Sequence, residues 1–283
     1  MEVITPVHLE EALGELYRDS SQSILAGGTD FLVKRKNGQI NPSRAINIYN
    51  LQELKFIRKE QGQLIIGPLM THQELVESSM VGQYAPLLAA ACSQVGSLQI
   101  RNRGTLGGNL VTASPAGDTM PALVVSNATL LLRSAHSERE VSIVDFINGP
   151  GKTVLQPGEL LTAIKIPCWE PEQIGFYRKL GQRKAMAISI VSVAFKARLV
   201  NQVLEDVRIA CGSVGPTVME LKRTAQNLTR YSLWGEELWT LVSDAGAETS
   251  PISDVRASQE YRRKMVGALL YEGLQDLSIN KRC

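Results

Sequence analysis

The sequence predicts an α+β protein with two domains, and three observations lead to this prediction. Residues 1–50 alternate short apolar strands with helical segments, later segments pair as antiparallel hairpins, and the tail from Leu221 is helical in pattern. A chain of 283 residues is long enough to bury a core in each of two such domains.

The first 50 residues are predicted to form a compact βαβ-type lobe. Leu9, Ala12, Leu13, Leu16 and Tyr17 recur at helical spacing, which indicates a helix with one buried face. The other elements predicted in this lobe are a strand over Ser23–Ala26, a helix that starts over Phe31–Arg35 and a strand over Ala45–Tyr49.

The second lobe is predicted to combine two hairpins with helices. Thr71 and Glu74 have the spacing of a capping box, in which each side chain binds the other residue's backbone N–H, so a helix should run from there to about Ser79. The other predicted elements are strands over Phe56–Arg58 and Gln63–Ile66, a buried helix over Leu87–Leu98, strands over Ala128–Arg133 and Glu140–Ile143, and a strand over Glu159–Pro167.

The composition shifts around residues 168–173, where we place the domain boundary. The first domain is predicted over residues 1–170, with lobes of about 1–52 and 53–170, and the second over residues 171–283. In the second domain the sequence predicts an antiparallel strand pair over Ile188–Leu199 and Val203–Cys211, a tight turn at 200–202 and a long helix over Gln259–Leu277.

Composition argues against several classes of function. The net charge is +2 and acidic and basic residues are interspersed, so a nucleic-acid footprint is not predicted. The densest basic run, Arg262-Arg263-Lys264, is expected on a solvated helix face. The cysteines and histidines are scattered without metal-ligand spacing, so we expect no metal site: Cys92, Cys168, Cys211, Cys283, His8, His72 and His136. With no secretory signal and no apolar stretch of about 18 residues, a cytoplasmic protein without a membrane span is expected.

Two glycine-rich turns carry the functional signal. The first reads Ala26-Gly27-Gly28-Thr29-Asp30, and the second reads Gly104-Thr105-Leu106-Gly107-Gly108-Asn109. Glycine leaves backbone N–H groups uncovered, and several such groups can bind one phosphate, the more so where a helix starts near Thr29. Two such turns could converge on one diphosphate, which predicts a nucleotide cofactor.

Each turn also has a simpler interpretation. The first could be a tight strand-to-helix turn without a ligand; Asp30 would repel phosphate, so it is expected to cap the helix locally. The second could be an irregular surface loop, although Thr112 and Ser114 supply hydroxyl groups beside it and Asp118 could bind a ribose or ribityl hydroxyl. The blocks match neither the Rossmann fingerprint nor the P-loop.

Taken together, the blocks resemble the FAD-binding medium subunit of the molybdenum hydroxylases, the family of xanthine dehydrogenase, carbon monoxide dehydrogenase and nicotinate dehydrogenase. The resemblance covers essentially the whole chain. It implies a two-lobed FAD-binding domain of the kind shared with vanillyl-alcohol oxidase and the MurB-type reductases, followed by a small domain with an antiparallel sheet and helices. The matching segments, in the family's order and separation, are 25–30, 100–110 continuing to 118, 164–167 and 176–179.

The resemblance also implies roles at FAD. The two turns hold the diphosphate from opposite sides, Ser114 and Asp118 bind ribityl or ribose hydroxyls, and Leu161 packs near the isoalloxazine ring. Lys179 is the implied catalytic residue, because it would stabilise negative charge on the reduced flavin; without the resemblance it would be interpreted as an ordinary surface lysine. The implied cofactor-binding residues are Leu25, Ala26, Gly27, Gly28, Thr29, Asp30, Ile100, Thr105, Gly107, Gly108, Asn109, Thr112, Ser114, Asp118, Leu161 and Lys179.

The family further implies a three-part enzyme. A large molybdopterin-binding subunit would hydroxylate the substrate, a small [2Fe–2S] subunit would relay electrons, and this chain's FAD would deliver them to NAD, oxygen or another acceptor. Members that use NAD often carry acidic residues in the loop after the lysine, and the loop 182–187 has none, so the acceptor stays open. Two alternatives also stay open: a stand-alone flavin reductase on the same fold, and a non-catalytic assembly subunit that has lost its flavin.

Overall fold

The computed structural model of the chain describes residues 1–183 and 187–280. The fold is α+β, as the sequence predicts, and it consists of three main sheets with helices packed against them. The strands are β1 (Glu2–Ile4), β2 (Ser23–Leu25), β3 (Arg44–Asn47), β4 (Ile57–Glu60), β5 (Gln63–Ile66), β6 (Thr129–Arg133), β7 (Glu138–Ser142), β8 (Ile147–Gly149), β9 (Lys152–Thr153), β10 (Leu160–Pro167), β11 (Gln173–Gly181), β12 (Ser189–Val200), β13 (Val203–Gly212) and β14 (Met219–Glu220). The helices are α1 (Leu9–Arg18), α2 (Phe31–Lys36), α3 (His72–Glu77), α4 (Ser79–Tyr84), α5 (Pro86–Ser93), α6 (Leu98–Arg101), α7 (Leu106–Thr112), α8 (Thr119–Val125), α9 (Ile143–Phe146), α10 (Lys222–Leu228), α11 (Leu238–Val242) and α12 (Gln259–Asn280).

The first sheet is parallel and has the strand order β1-β3-β2. Helix α1 packs into its core with Leu9, Ala12, Leu13 and Leu16, all of which are buried. The predicted βαβ-type unit is therefore confirmed, whereas Tyr17, which the spacing places on the same face, is 67% exposed. The sequence does not predict β1, because a strand of three residues is too short to show a hydrophobic period.

The second sheet is antiparallel, with five strands in the order β4-β5-β10-β6-β7. Its outer pairs are the two predicted hairpins. The predicted strand near Glu159–Pro167 becomes the central strand β10, which is buried along most of its length. Leu75 of α3, Leu88 of α5 and Leu123 of α8 join this sheet in one apolar core.

Local chemistry explains where helix α3 begins and where helix α5 ends. Thr71 and Glu74 form the predicted capping box at the start of α3, with each side chain accepting a hydrogen bond from the other residue's backbone N–H. The predicted continuous helix over 87–98 is wrong, because α5 ends at Ser93 and Gly96 has a φ of +48°. A left-handed residue stops helix propagation, so the short α6 delivers the chain to the second glycine turn.

The segment after the second glycine turn is helical and is not an irregular loop. Helix α7 begins directly after Thr105, whose hydroxyl oxygen accepts a hydrogen bond from the Gly108 N–H, and it ends at Thr112, because the next residue, Ala113, has a left-handed φ of 47°. Helix α8 follows Asp118, and all of its residues are buried. The sequence does not predict these helices, because two adjacent glycines in α7 and a proline in α8 weaken the helical pattern.

The third sheet is antiparallel and has the order β11-β12-β13-β14. β12 and β13 form the predicted pair, and Asn201 and Gln202 at its tip have φ values of 49° and 69°, as a two-residue type I′ turn requires. Strand β11, which the sequence does not predict, pairs with β12 along its length, so Lys179 lies within a sheet. The predicted terminal helix is α12, and its Leu270 is buried in the core of this sheet.

One residue of the basic run on α12 is buried, which corrects the expectation of a solvated face. Arg262 is 1% exposed, whereas its neighbour Arg263 is exposed. The Arg262 guanidinium donates to the carbonyl oxygens of Ile190 (2.6 Å) and Ser213 (3.1 Å), and it pairs with Asp254 (2.7 Å). Because a guanidinium carries several donors in a fixed fork, one side chain ties α12 to the start of β12.

The connection between β10 and β11 contains the composition shift at residues 168–173. The domain limits placed there stay a prediction. None of the helices in residues 1–183 and 187–280 combines the length and the apolar character that crossing a bilayer requires.

Candidate cofactor site

The two glycine-rich turns lie against each other. A Cβ atom on Gly27 would overlap the carbonyl oxygen of Arg103 and would lie 2.8 Å from its carbonyl carbon. A Cβ atom on Gly104 would lie 3.4 Å from Oγ1 of Thr29 and 3.0 Å from the carbonyl oxygen of Ile100. Backbones approach this closely only where a side chain is missing, so two turns far apart in the sequence form one wall.

The first turn presents backbone N–H groups that no described residue accepts. The chain leaves β2 at Leu25, passes through Gly28 with a φ of 78° and enters α2 at Phe31. No hydrogen bond joins the N–H groups of residues 27–30 to an acceptor within residues 1–183 and 187–280. Backbone donors are nearly always paired in native proteins, so donors in a concave glycine turn are suited to an anion.

The second turn differs from the prediction, because its N–H groups are already hydrogen-bonded inside the protein. The N–H of Leu106 donates to the Met70 carbonyl (2.9 Å), and the N–H of Gly107 donates to the Pro68 carbonyl (2.8 Å). The N–H of Gly108 donates to the Thr105 hydroxyl oxygen (3.1 Å). These bonds dock α7 onto the segment before α3, so the second turn shapes the wall and the first turn supplies the free donors.

A cavity of about 480 Å³ lies between the two turns, and its volume is typical of small-molecule sites. Most of the sequence-predicted cofactor residues line it, from both turns and from β10. Those that line it are Ala26, Gly27, Gly28, Thr29, Asp30, Ile100, Thr105, Gly107, Gly108, Asn109, Thr112 and Leu161.

Four predicted residues do not line this cavity: Leu25, Ser114, Asp118 and Lys179. The hydroxyl oxygen of Ser114 accepts a hydrogen bond from the Ala116 N–H (3.3 Å). Asp118 and Lys179 are each next to a residue that contacts the wall or adjoins it in sequence. The residue after Asp118 is Thr119, whose hydroxyl donates to Oδ1 of Asn109 in the wall (2.6 Å).

Asp118 and Lys179 form a buried ion pair. Nζ of Lys179 donates to Oδ2 of Asp118 (2.6 Å) and to the Gln94 carbonyl (2.9 Å), and the two paired side chains are 7% and 9% exposed. The hydroxyl of Tyr177 donates to the other carboxylate oxygen (3.3 Å). Burial raises the pKa of Asp118 above its usual value, although the Lys179 charge acts in the opposite direction. Lys179 is therefore not an ordinary surface lysine.

Asp30 does not cap α2, which corrects the expectation from the sequence. It occupies the N-cap position, but its carboxylate makes no capping hydrogen bond. The carboxylate pairs with Lys34 one turn later (2.8 Å) and accepts a hydrogen bond from the Thr112 hydroxyl of α7 (3.4 Å). The lysine offsets the negative charge beside the free N–H groups, so Asp30 repels an anion less than an isolated carboxylate would.

Other cavity residues carry no signal in the sequence. Ile24, Ile48 and Leu160 make one part of the wall apolar. The polar additions are Lys34 of α2, His72 at the start of α3 and Glu159 next to β10. They reach the cavity through tertiary contacts, and a lone histidine or glutamate in the sequence does not predict such contacts.

Glu159 is held in place by Arg139, which donates to both of its carboxylate oxygens (2.7 and 2.8 Å). The arginine lowers the pKa of Glu159 below its usual value, so the carboxylate is ionised and already paired. Within residues 1–183 and 187–280, no group of three or more histidine, cysteine, aspartate or glutamate side chains is arranged to hold a metal ion.

The site can therefore recognise an anion with backbone donors and enclose an apolar ring beside it. This is the chemistry of a nucleotide cofactor site, in which a phosphate meets a glycine turn and a base or ring meets aliphatic side chains.

Comparison with known proteins assigns a family to the chain. The family described as the FAD binding domain in molybdopterin dehydrogenase matches residues 1–169, and the CO dehydrogenase flavoprotein C-terminal domain matches residues 176–277. The glyceraldehyde dehydrogenase medium chain of Sulfolobus acidocaldarius is 30% identical over 95% of both chains. The xanthine dehydrogenase FAD-binding subunit of Escherichia coli O157:H7 is 32% identical over 91% of this chain and 89% of its own length.

A solved structure agrees with these sequence matches. The carbon monoxide dehydrogenase of Hydrogenophaga pseudoflava that lacks the Mo-pyranopterin moiety of the molybdenum cofactor superimposes with a TM-score of 0.91 at 27% identity, over 97% of this chain and 96% of its own. The chain therefore belongs to the family of FAD-binding subunits of the molybdenum hydroxylases, which are oxidoreductases, and its cofactor is FAD.

Proposed function

We propose that this chain is the electron-transfer subunit of a multi-subunit molybdenum hydroxylase, in which electrons pass from iron–sulfur clusters through FAD to NAD or another acceptor. A large molybdopterin-binding subunit and a small [2Fe–2S] subunit complete the enzyme. One observation carries the proposal. The chain belongs to the FAD-binding family, and its cavity is lined by residues 27–30, whose backbone N–H groups have no acceptor among the described residues.

The residues of the cavity fit the diphosphate of FAD. The N–H groups of Gly27, Gly28 and Thr29 can each donate to a phosphate oxygen, and such charge-assisted hydrogen bonds contribute about 1.5–3 kcal/mol each. The glycines also keep side chains out of the space that the phosphates need. Gly108 and Asn109 of the second turn line the same cavity, and the Thr119 hydroxyl fixes the Asn109 side chain.

The apolar part of the wall suits a ring. Ile24, Ile48, Leu160 and Leu161 border the cavity with aliphatic side chains. We assign Leu161 to packing near the isoalloxazine ring, in agreement with the role that the resemblance implies. When bound, FAD supplies the exchange between one-electron and two-electron transfer, and the chain supplies its position and electrostatic environment.

We retain Lys179 as the residue that stabilises negative charge near the reduced flavin, and Ser114 and Asp118 as ligands of ribityl or ribose hydroxyls. The positions of Lys179 and Asp118 next to the cavity wall support these roles. Lys179 donates to the carbonyl of Gln94, the neighbour of the wall residue Val95, and Asp118 adjoins the residue that fixes Asn109. The Asp118 carboxylate keeps the Lys179 ammonium group in place.

The loop after Lys179 bears on the identity of the electron acceptor. The loop 182–187 follows Lys179 and carries no acidic residue, and residues 184–186 of this loop lie outside the described residues. The experiment below therefore tests both NAD and oxygen as acceptors.

We infer a cytoplasmic location from the scattered, unpaired cysteine pattern of the sequence.

The test uses a tagged full-length chain recovered from its native cell. We expect FAD to be recovered together with a large molybdopterin-binding protein and a small [2Fe–2S] protein. After chemical reduction of the iron–sulfur clusters with dithionite and removal of the excess, the rate of FAD reoxidation by NAD and by oxygen identifies the acceptor. Recovery of the chain alone, combined with NADPH oxidation by that chain, would instead support a stand-alone flavin reductase. Recovery with partners but without flavin would support an assembly subunit.

A matched pair of variants tests the site itself. Outside its own helix backbone, a Cβ atom on Gly108 would meet Oγ1 of Thr105, at 2.9 Å, and no other atom within 4 Å, so Gly108→Val adds bulk to the cavity wall. A Cβ atom on Gly82 of α4 would meet no atom within 4 Å, so Gly82→Val is the matched control in an exposed helix. We expect Gly108→Val to lose FAD and Gly82→Val to retain it, with both chains folded.

A further inference from the structure

His72 occupies an unusual position beside the glycine turns. It is the first residue of α3, it is 2% exposed, and it lines the cavity. Its backbone N–H donates to the carbonyl oxygen of Gly104 (3.0 Å), and a Cβ atom on Gly104 would lie 3.3 Å from Cδ2 of the His72 ring. The ring therefore packs directly on the backbone of the second glycine turn.

The two ring nitrogens of His72 have different surroundings. Nδ1 is buried and has no hydrogen-bond partner among the described residues. Since Nδ1 is enclosed by protein atoms and the residue borders the cavity, Nε2 is the nitrogen that can reach a ligand there. An orphaned lone pair is tolerated better than an orphaned N–H, which favours the tautomer with its proton on Nε2.

The ring is also uncharged. Burial, followed by the positive charge of Arg101, lowers the pKa of His72 to about 4. Arg101 itself donates from Nε to Oε1 of Gln73 (3.1 Å), which keeps the guanidinium group near α3. A neutral imidazole with its proton on Nε2 offers one donor to the cavity.

We propose that His72 is a further FAD-binding residue, whose neutral ring donates a hydrogen bond from Nε2 to an oxygen of the diphosphate. The position of Gly104 indicates that the diphosphate is the part of FAD that lies next to His72. The Gly104 backbone contacts both the His72 ring and the first glycine turn, where Gly27 and Thr29 supply free N–H groups. The inference rests on the proposed placement of the diphosphate in this cavity.

The test measures the affinity of the full chain for FAD, ADP and riboflavin in three variants. His72→Leu removes the donor and keeps the bulk. His72→Gln keeps an N–H donor near the position of Nε2. His136→Leu is the control, because His136 is exposed and its ring contacts Tyr17, away from the cavity.

We expect His72→Leu to bind FAD and ADP about tenfold to a hundredfold more weakly, as the loss of one charge-assisted hydrogen bond predicts. Riboflavin, which lacks the phosphates, should bind this variant and the wild type equally. His72→Gln should recover most of the affinity, and His136→Leu should match the wild type. Equal binding of ADP by His72→Leu and the wild type overturns the inference.

A second readout keeps the inference testable if the leucine variant fails to fold. In the wild-type chain labelled with ¹⁵N-histidine, addition of ADP should shift the Nε2 resonance of His72 and leave the ring in the neutral tautomer. An unchanged resonance at saturating ADP overturns the inference. Failure of the diphosphate placement gives a different result, since FAD binding would then be insensitive to Gly108→Val as well.

Discussion

Gly27 and Arg103 are in direct backbone contact: the carbonyl oxygen of Arg103 occupies the space where any other residue at position 27 would place its Cβ atom. Gly27 follows β2 of the first sheet, and Arg103 follows α6, which contacts α3. The contact therefore joins two parts of the chain and closes one side of the cavity. A carbonyl group cannot rotate away as a long side chain can, so the fit depends on glycine at this position.

Gly27→Ala should weaken FAD binding strongly and lower the free energy of unfolding. The added methyl group overlaps a backbone carbonyl, so the two turns must separate, and overpacking of this kind costs about 1–3 kcal/mol. Separation also moves the N–H groups of residues 27–30 relative to the cavity residues of the second turn. Flavin titration measures the first effect, and urea denaturation of the FAD-free chain measures the second.

Gly14→Ala is the control for that variant. Gly14 lies within α1, and a Cβ atom there would meet no atom within 4 Å. Alanine in place of glycine in an open helix should stabilise the chain by about 0.5–1 kcal/mol and leave FAD binding unchanged. If Gly27→Ala bound FAD as the wild type does, contact between the turns would not be needed for the site.

Lys179→Met should destabilise the chain by about 3–5 kcal/mol, because it leaves the Asp118 carboxylate buried without its cation. The double variant Lys179→Met with Asp118→Leu removes both charges and should recover much of this loss. Denaturation at pH 7 measures both variants. A single variant as stable as the wild type would show that solvent reaches the carboxylate. The reduction potential of bound FAD, which should fall in Lys179→Met, tests the proposed role near the flavin separately.

The elements that the sequence predicts correctly are those with a regular pattern or a local chemical signature. The capping box of Thr71 and Glu74 is contained in four residues, and the hairpin of β12 and β13 shows alternation on both sides of a short turn. The glycine blocks identify the part of the cavity wall that the two turns form for the same reason, since the missing side chain of glycine is a property of the residue itself.

The parts that the sequence does not predict depend on contacts between distant segments. A glycine N–H is free only if no other part of the chain supplies an acceptor for it. The N–H of Gly107 has such an acceptor, the carbonyl oxygen of Pro68, which lies much earlier in the sequence. The buried state of Arg262 is set by acceptors on β12 and in the loop after β13, and the cavity position of His72 is set by its packing on Gly104. A basic run or a lone histidine in the sequence does not predict these tertiary contacts.

Arg262→Met should destabilise the chain by about 3–5 kcal/mol. The substitution removes the donors to the Ile190 and Ser213 carbonyl oxygens and leaves Asp254 with one cation fewer. Arg263→Met, in the next position of the same helix, changes an exposed side chain and should stay within about 0.5 kcal/mol of the wild type. Thermal and urea unfolding measure both. Equal effects of the two substitutions would contradict the buried role of Arg262.

His72 should make the FAD-free chain lose stability in mild acid. The pKa of His72 is lowered from 6.5 to about 4 by burial and by Arg101, so between these two pH values the unfolded chain binds a proton that the folded chain does not. The stability that depends on a neutral His72 is therefore fully present above pH 6.5. As the pH falls from 6.5 towards about 4, proton binding by the unfolded chain lowers the free energy of unfolding by about 3 kcal/mol.

The difference in unfolding free energy between the wild type and His72→Gln isolates this contribution, because the other titrating groups are common to both chains. We expect the difference to change by about 3 kcal/mol in favour of the wild type between about pH 4 and pH 6.5, and to be constant above pH 6.5. His72→Leu should give the same pH dependence, since neither replacement titrates. Saturating ADP should reduce the pH dependence of the wild type, because a bound phosphate favours the protonated ring and raises its pKa. A difference that is constant across this range would mean that water reaches the ring in the folded chain.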